Sequence, residues 1–186
     1  MTTLTIYADD HTTESKTLTD FDAIVRRLGV AGIHLERWEA DRPLSEDADQ
    51  EEVLTAYKDN IDRLNQQYGF RSVDVISIYP DHRQRIEMRQ KFLSEHTHDD
   101  FEVRFFVDGQ GLFYLHIGSK VYTLLCTKGD LISVPAGVTH WFDMGRKPDF
   151  KCIRFFTTVN GWVGNFTGSD IARQFPDFDD FVASLN

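Results

Sequence analysis

Cysteine is scarce. The 186 residues hold two, Cys126 and Cys152, with no Cys-x-x-Cys spacing, so neither a disulfide framework nor a zinc knuckle is indicated and both read as buried packing residues. Proline is also sparse, at five, and no collagenous or low-complexity bias exists. Positive charge is in deficit: 20 Lys+Arg stand against 30 Asp+Glu, a formal net charge of -10, which repels nucleic acid and anionic lipid over most of the surface. Long apolar runs are missing as well. No segment has the length of a spanning helix, and residues 1–16, with Asp9, Asp10 and Glu14, lack the apolar stretch of a secretory signal. These absences predict a cytoplasmic protein with no nucleic-acid or membrane partner. What is present, 41% hydrophobic and 13% aromatic residues, excludes disorder and suits one domain over residues 1–186 with a sizeable core.

The first part, about residues 1–92, mixes strands and helices. Strands are expected at 4–7, 33–37 and 73–79. Asp20 is placed to cap a helix whose Phe21, Ile24, Val25 and Leu28 share a face before Gly29 ends it. Between residues 47 and 69, Val53, Leu54, Tyr57, Ile61, Leu64 and Tyr68 recur at helical spacing, with acidic residues in the first turns where the helix dipole favours them. Pro80 stops the third strand, and Asp81 can cap a helix running to about Phe92. From His96 onward closely spaced strands predominate, at 102–107, 112–117, 120–126, 131–134 and 151–158, a spacing that reads as a sandwich or barrel. Hairpin turns are expected at Asp108-Gly109-Gln110-Gly111 and at Gly118-Ser119, and a C-terminal helix capped by Ser169 or Asp170 is expected to cover one side of the sheet.

His96-Thr97-His98 puts two imidazoles on one side of an extended chain, because strand side chains alternate with period two. Glu102 shares that parity but stands roughly 13 Å beyond His98 along a straight strand, so convergence requires a bend, which Asp99-Asp100 can supply. The best fourth candidate is His140, on a short tether after a turn shaped by Pro135 and Gly137. His11, His34, His82 and His116 have no such spacing and read as surface or structural histidines. The acidic stretch 47–52 reads as the solvated start of a helix.

The run His96-x-His98-x-x-x-Glu102-x6-Gly109 resembles the first cupin motif, and Gly129-x5-Pro135-x-Gly137-x-x-His140 the second. Gln90 stands where the first motif begins with Gly, and Met144 where the second often ends in Asn; neither removes a ligand. The likeness is closer still to bacterial acireductone dioxygenases. It is carried by Phe92-Leu93-Ser94-Glu95-His96-Thr97-His98, Glu102-Val103-Arg104-Phe105-Phe106-Val107, Leu131-Ile132-Ser133-Val134-Pro135, His140-Trp141-Phe142-Asp143-Met144-Gly145, Ile153-Arg154-Phe155-Phe156 and Glu36-Arg37-Trp38. The resemblance implies a mainly β fold with flanking helices, a cupin-type double-stranded β-helix or jelly-roll barrel, with its metal-binding core at about 93–160.

It also implies His96, His98, Glu102 and His140 as ligands of one Fe(2+) or Ni(2+) per chain. Three imidazoles and a carboxylate leave two positions open on an octahedral ion, unlike a closed structural zinc. The implied substrates are acireductone, a methionine-salvage intermediate, and O2. The implied products are formate with 4-methylthio-2-oxobutanoate from the iron form, and methylthiopropionate, formate and CO from the nickel form. Arg104, by parity with Glu102, should point into the same cavity, while Arg154, inside the apolar run 152–156, needs an anionic partner or ligand. Both are candidate catalytic residues, and Glu95 is a candidate base whose odd parity turns it away. Phe92, Phe142 and Trp162 are candidate walls for the methylthio tail. The alternatives are another mononuclear-metal cupin enzyme, against which Glu102 and the sequence context weigh, or a non-enzymatic ligand-binding cupin. With no exposed amphipathic seam, a monomer is expected.

Overall fold

In a computed structural model, residues 1–10, 15–45 and 47–185 are described; His11 lies outside them. The N-terminal part holds β1 (Thr3–Ala8), β2 (Lys16–Leu18), α1 (Phe21–Val30), β3 (His34–Arg37), α2 (Gln50–Ala56), α3 (Lys58–Tyr68), β4 (Ser72–Ile78) and α4 (Arg85–Phe92). The strand-rich part follows with β5 (His96–Thr97), β6 (Glu102–Ile117), β7 (Lys120–Thr127), β8 (Asp130–Val134), β9 (Thr139–Asp143), β10 (Phe150–Phe156) and β11 (Asn165–Phe166). A 3₁₀ turn (Ile171–Gln174) and α5 (Phe178–Ser184) end the chain. No helix among the described residues is long and apolar enough to cross a membrane.

β6 organises the barrel. Its first half pairs with β8 and β10, and its second half with β7 and β9, so one bent strand belongs to two antiparallel sheets. One runs β11-β5-β9-β6-β7-β1-β2; the other joins β3, β8, β6, β10 and β4. The expected hairpin at Gly109 is therefore continuous strand, just past a bulge at Val107. Gly109 takes φ +72, and a Cβ there would lie 1.9 Å from Asp149 O. Phe150 pairs with Gly109 and Lys151 with Asp108, but Cys152 with Phe106, skipping Val107. One extra residue inverts the parity of the strand. Glu102, Arg104 and Phe106 point inward before the bulge, and Phe113 and Leu115 after it.

Three apolar clusters hold these layers. Phe106, Phe113, Phe142, Phe150 and both cysteines fill the barrel interior, each fully buried aromatic ring contributing about 1.5–3 kcal/mol. Trp38, Tyr57, Phe105 and Phe155 pack under α2 and α3. Tyr114, Trp141, Phe175 and Phe181 seal the outer face of the other sheet, so the C-terminal segment covers the sheet as expected.

Several boundaries differ from the sequence reading. The helix expected over 47–69 is broken at Tyr57 (φ -107, ψ 16), whose ring is buried against Phe105 at 5.0 Å; the Asp49–Glu52 capping box begins it and Gly69 ends it. α1 continues past Gly29 to Val30. Asp81 caps nothing, because backbone turns from Tyr79 to His82 and from His82 to Arg85 delay α4. The cap of α5 is Asp177, whose carboxylate accepts from Asp180 N, while Ser169 accepts from Ile171 N in the 3₁₀ turn.

Candidate metal centre

β5, the start of β6 and β9 deliver four side chains to one end of the barrel interior. His96 and His140 are register partners across β5 and β9. The chain bends at Asp99-Asp100, as the spacing required, and brings Glu102 back to them. One donor atom from each of His96, His98, Glu102 and His140 lies within 4.8 Å of the others, and all four residues are buried. Glu102 Oε2 stands 2.7 Å from His140 Nε2 and 3.3 Å from His98 Nε2.

Hydrogen bonds on the far side of each ring decide what these nitrogens can do. His96 Nδ1 lies 2.7 Å from Ser94 O, His98 Nδ1 2.8 Å from Val163 O, and His140 Nδ1 2.7 Å from Val138 O. A carbonyl oxygen only accepts, so each Nδ1 carries the proton and each neutral ring presents an Nε2 lone pair inward. Two such lone pairs facing a carboxylate repel it unless a proton or a metal cation lies between them. The donor set therefore fits a divalent transition metal.

Electrostatics agree with that picture. Burial, aided by the neighbouring His140 ring, drives His96 down to about 4, so it stays a neutral donor at pH 7. Burial also opposes charge on His98, but the hydrogen bond and charge of Glu102 overcome it and the ring's pKa rises. Glu102 is likewise penalised by burial, yet Arg104, His140 and His98 hold its carboxyl well below the usual carboxylate range.

Arg104 enters the same cavity, as its parity predicted. Its Nε lies 2.5 Å from Glu102 Oε1, but the two are not aligned for a hydrogen bond, and Nε, Nη1 and Glu102 Oε1 are buried without one. The guanidinium sits 4.8 Å from the Phe142 ring centre, 5.4 Å from Phe113 and 5.9 Å from Phe92. Phe92, Phe142 and Trp162 do line the cavity, joined by Lys91, Phe156 and Phe166. Arg154 also lines it, but makes a bidentate ion pair with Asp74, its β4 partner, at 2.8 and 2.7 Å.

Glu95 is buried on the other side of β5. It contacts His116 Nδ1 at 3.0 Å and accepts from Thr167 Oγ1 at 2.7 Å, away from the cavity lining, as its odd parity foreshadowed. His116 is thus structural, and His34 pairs with Glu36 at the surface. His82 accepts from Gln84 N. Two contributors went unforeseen: Val163 O, a backbone atom that leaves no mark on residue type, and Asp100, read only as part of a bend.

Known proteins resemble the chain in sequence and in fold. A model of the ARD/ARD' family matches residues 3–164. Acireductone dioxygenase of Methylococcus capsulatus is 53% identical over 182 residues, 98% of each chain. Its counterpart in Aquifex aeolicus is 56% identical over 167 residues, 90% of this chain and 91% of that one. The solved structure of acireductone dioxygenase from Bacillus anthracis, with a cadmium ion in its active centre, gives a TM-score of 0.78 at 26% identity and covers 89% of this chain and 98% of its own.

Proposed function

Since this chain belongs to the ARD/ARD' family, we propose that it oxidises acireductone with O2 as a metal-dependent dioxygenase, its metal held by His96, His98, Glu102 and His140. The carrying observation is the convergence of three Nε2 lone pairs on one buried carboxylate. The proposal takes iron(II) or nickel(II), one per chain, and a cytoplasmic monomer acting in methionine salvage. Its net charge of -10 supports a small-molecule role rather than a nucleic-acid one.

When bound, such an ion supplies Lewis acidity and open coordination positions. The protein's own groups do the rest. Arg104, ion-paired to Glu102 through Nε, keeps its Nη1 buried without a hydrogen-bond partner, placed to hold negative charge on the enediolate oxygens. Phe92, Phe142 and Trp162 give the methylthio end an apolar wall. Lys91, 5.7 Å over the Trp162 ring, supplies local positive potential that draws an anion toward a protein of net negative charge.

Anaerobic reconstitution with each metal, followed by product analysis after acireductone and O2 are added, tests the proposal. The iron form should give formate and 4-methylthio-2-oxobutanoate, and the nickel form methylthiopropionate, formate and CO. One identical product mixture from both forms would refute the metal-dependent split.

A further inference from the structure

We infer that Asp100 is a positioning residue for the ligand His98, acting through a clamp on the segment 157–163 whose Val163 carbonyl fixes the ring. The inference rests on the metal-binding reading above and deepens it. The three histidines are not held alike. His96 and His140 each bond a carbonyl two residues earlier, just before their own strands, so their tautomers are set locally. His98 instead bonds Val163 O, 65 residues away in sequence, and depends on where a separate segment lies.

Asp100 holds the near end of that segment. It is 4% exposed. Its Oδ2 accepts from Thr157 N at 2.7 Å and Thr158 N at 2.9 Å, and its Oδ1 from Thr157 Oγ1 at 2.5 Å and Phe101 N at 2.7 Å. The chain then folds tightly over the carboxylate: Gly161 N bonds Thr158 O, Val163 N bonds Asn160 O, and a Cβ on Gly161 would lie 2.5 Å from Asp100 Oδ2. The far end is tied separately, by pairing of β11 with β5 and by Asn165 to Asp99. One buried carboxylate, placed between ligands His98 and Glu102, thus sets both the ligand-bearing bend and the carbonyl that orients His98.

An amide cannot replace it. In Asp100→Asn the new NH2 would turn toward either the Thr157 and Thr158 backbone N–H groups or the Phe101 N–H and Thr157 hydroxyl, and in each case donor faces donor. Cobalt(II) is the probe, titrated into the full chain against a competing chelator, with its visible absorption spectrum recorded beside the unfolding temperature of the metal-free protein. Binding of one cobalt by the wild type, lost in His96→Ala, tests the metal reading by itself; its absence would sink that reading and not merely the inference. Given that binding, Asp100→Asn should weaken cobalt affinity about 10–100-fold and alter the spectrum, with Asp100→Glu recovering part of both. Thr157→Val, which removes one hydroxyl donor and leaves the carboxylate, should shift both readouts in the same direction by less, and decides the matter if Asp100→Asn does not fold. A folded variant with a lower unfolding temperature but wild-type cobalt affinity and spectrum would mark the clamp as structural only and overturn the inference.

Discussion

Arg104 and Glu102, two positions apart on the inner side of β6, bring guanidinium and carboxylate to 2.5 Å in the cavity floor without a hydrogen bond between them. The arginine lowers the carboxyl's proton affinity and keeps its Nη1 buried without a hydrogen-bond partner. A buried donor left so is costly unless a ligand completes it, which is why the proposed role of Arg104 is to bind substrate.

Arg104→Ala should therefore lower turnover by about 10²–10³-fold while metal content stays near one per chain. Arg104→Lys should recover little, because an ammonium cannot reproduce a planar fork among three rings. Metal analysis beside steady-state rates checks this, and parallel losses of metal and rate would mark Arg104 as structural.

Removal of any of His96, His98 or His140 by alanine should abolish metal retention, and Glu102→Ala should weaken it. A ligand that binds only the native state stabilises it by about 2.7 kcal/mol at a hundredfold excess over Kd. Nickel should accordingly raise the unfolding temperature of the wild type and leave the histidine variants unmoved; a full shift in any of them removes that residue from the cage.

Arg154 and Asp74 form a partly exposed pair, worth under about 1 kcal/mol. Asp74→Ala should change unfolding free energy by no more than that, and Arg154→Ala should reduce turnover less than Arg104→Ala does. A larger rate loss at Arg154 would make it the main anion holder.

Asp177 offers a test at acid pH. Burial raises its proton affinity, but Asp180 N–H, Arg146 and Arg89 outweigh it and hold the carboxyl below its ordinary value. A depressed folded pKa contributes stability that is present above the unfolded value of about 3.9 and lost as pH falls through the folded one. Asp177→Asn keeps a cap oxygen for Asp180 N but loses the charge, so its unfolding temperature should fall less than that of the wild type between about pH 5 and 3. Equal acid slopes would contradict the assignment.

The convergence of His96, His98, Glu102 and His140 and the inward direction of Arg104 were legible because side-chain parity and spacing survive folding. Glu102 and Arg104 kept the parity assigned to them, and Asp99-Asp100 bent where convergence needed it. What stayed hidden depends on distant partners. Asp108-Gly109 has the chemistry of a hairpin turn, and only its pairing with Lys151 and Phe150 keeps it within one long strand, just past a bulge at Val107. The break at Tyr57 carries neither glycine nor proline, since the burial of its ring against Phe105 sets it. β9 was read as a tether rather than a strand because its partners β5 and β6 lie far away in sequence. The bond from His98 to Val163 O leaves no residue-type signature at all.

The central claim, that one metal in this cage carries the oxidation of acireductone, is tested most directly by titrating metal-free protein anaerobically with iron(II) and measuring O2 consumption with acireductone at each step. The account predicts a rate that climbs linearly to one iron per chain and then levels, with no rate from His140→Ala at any loading. Equal O2 consumption by that variant, or none from the fully loaded wild type, would contradict it.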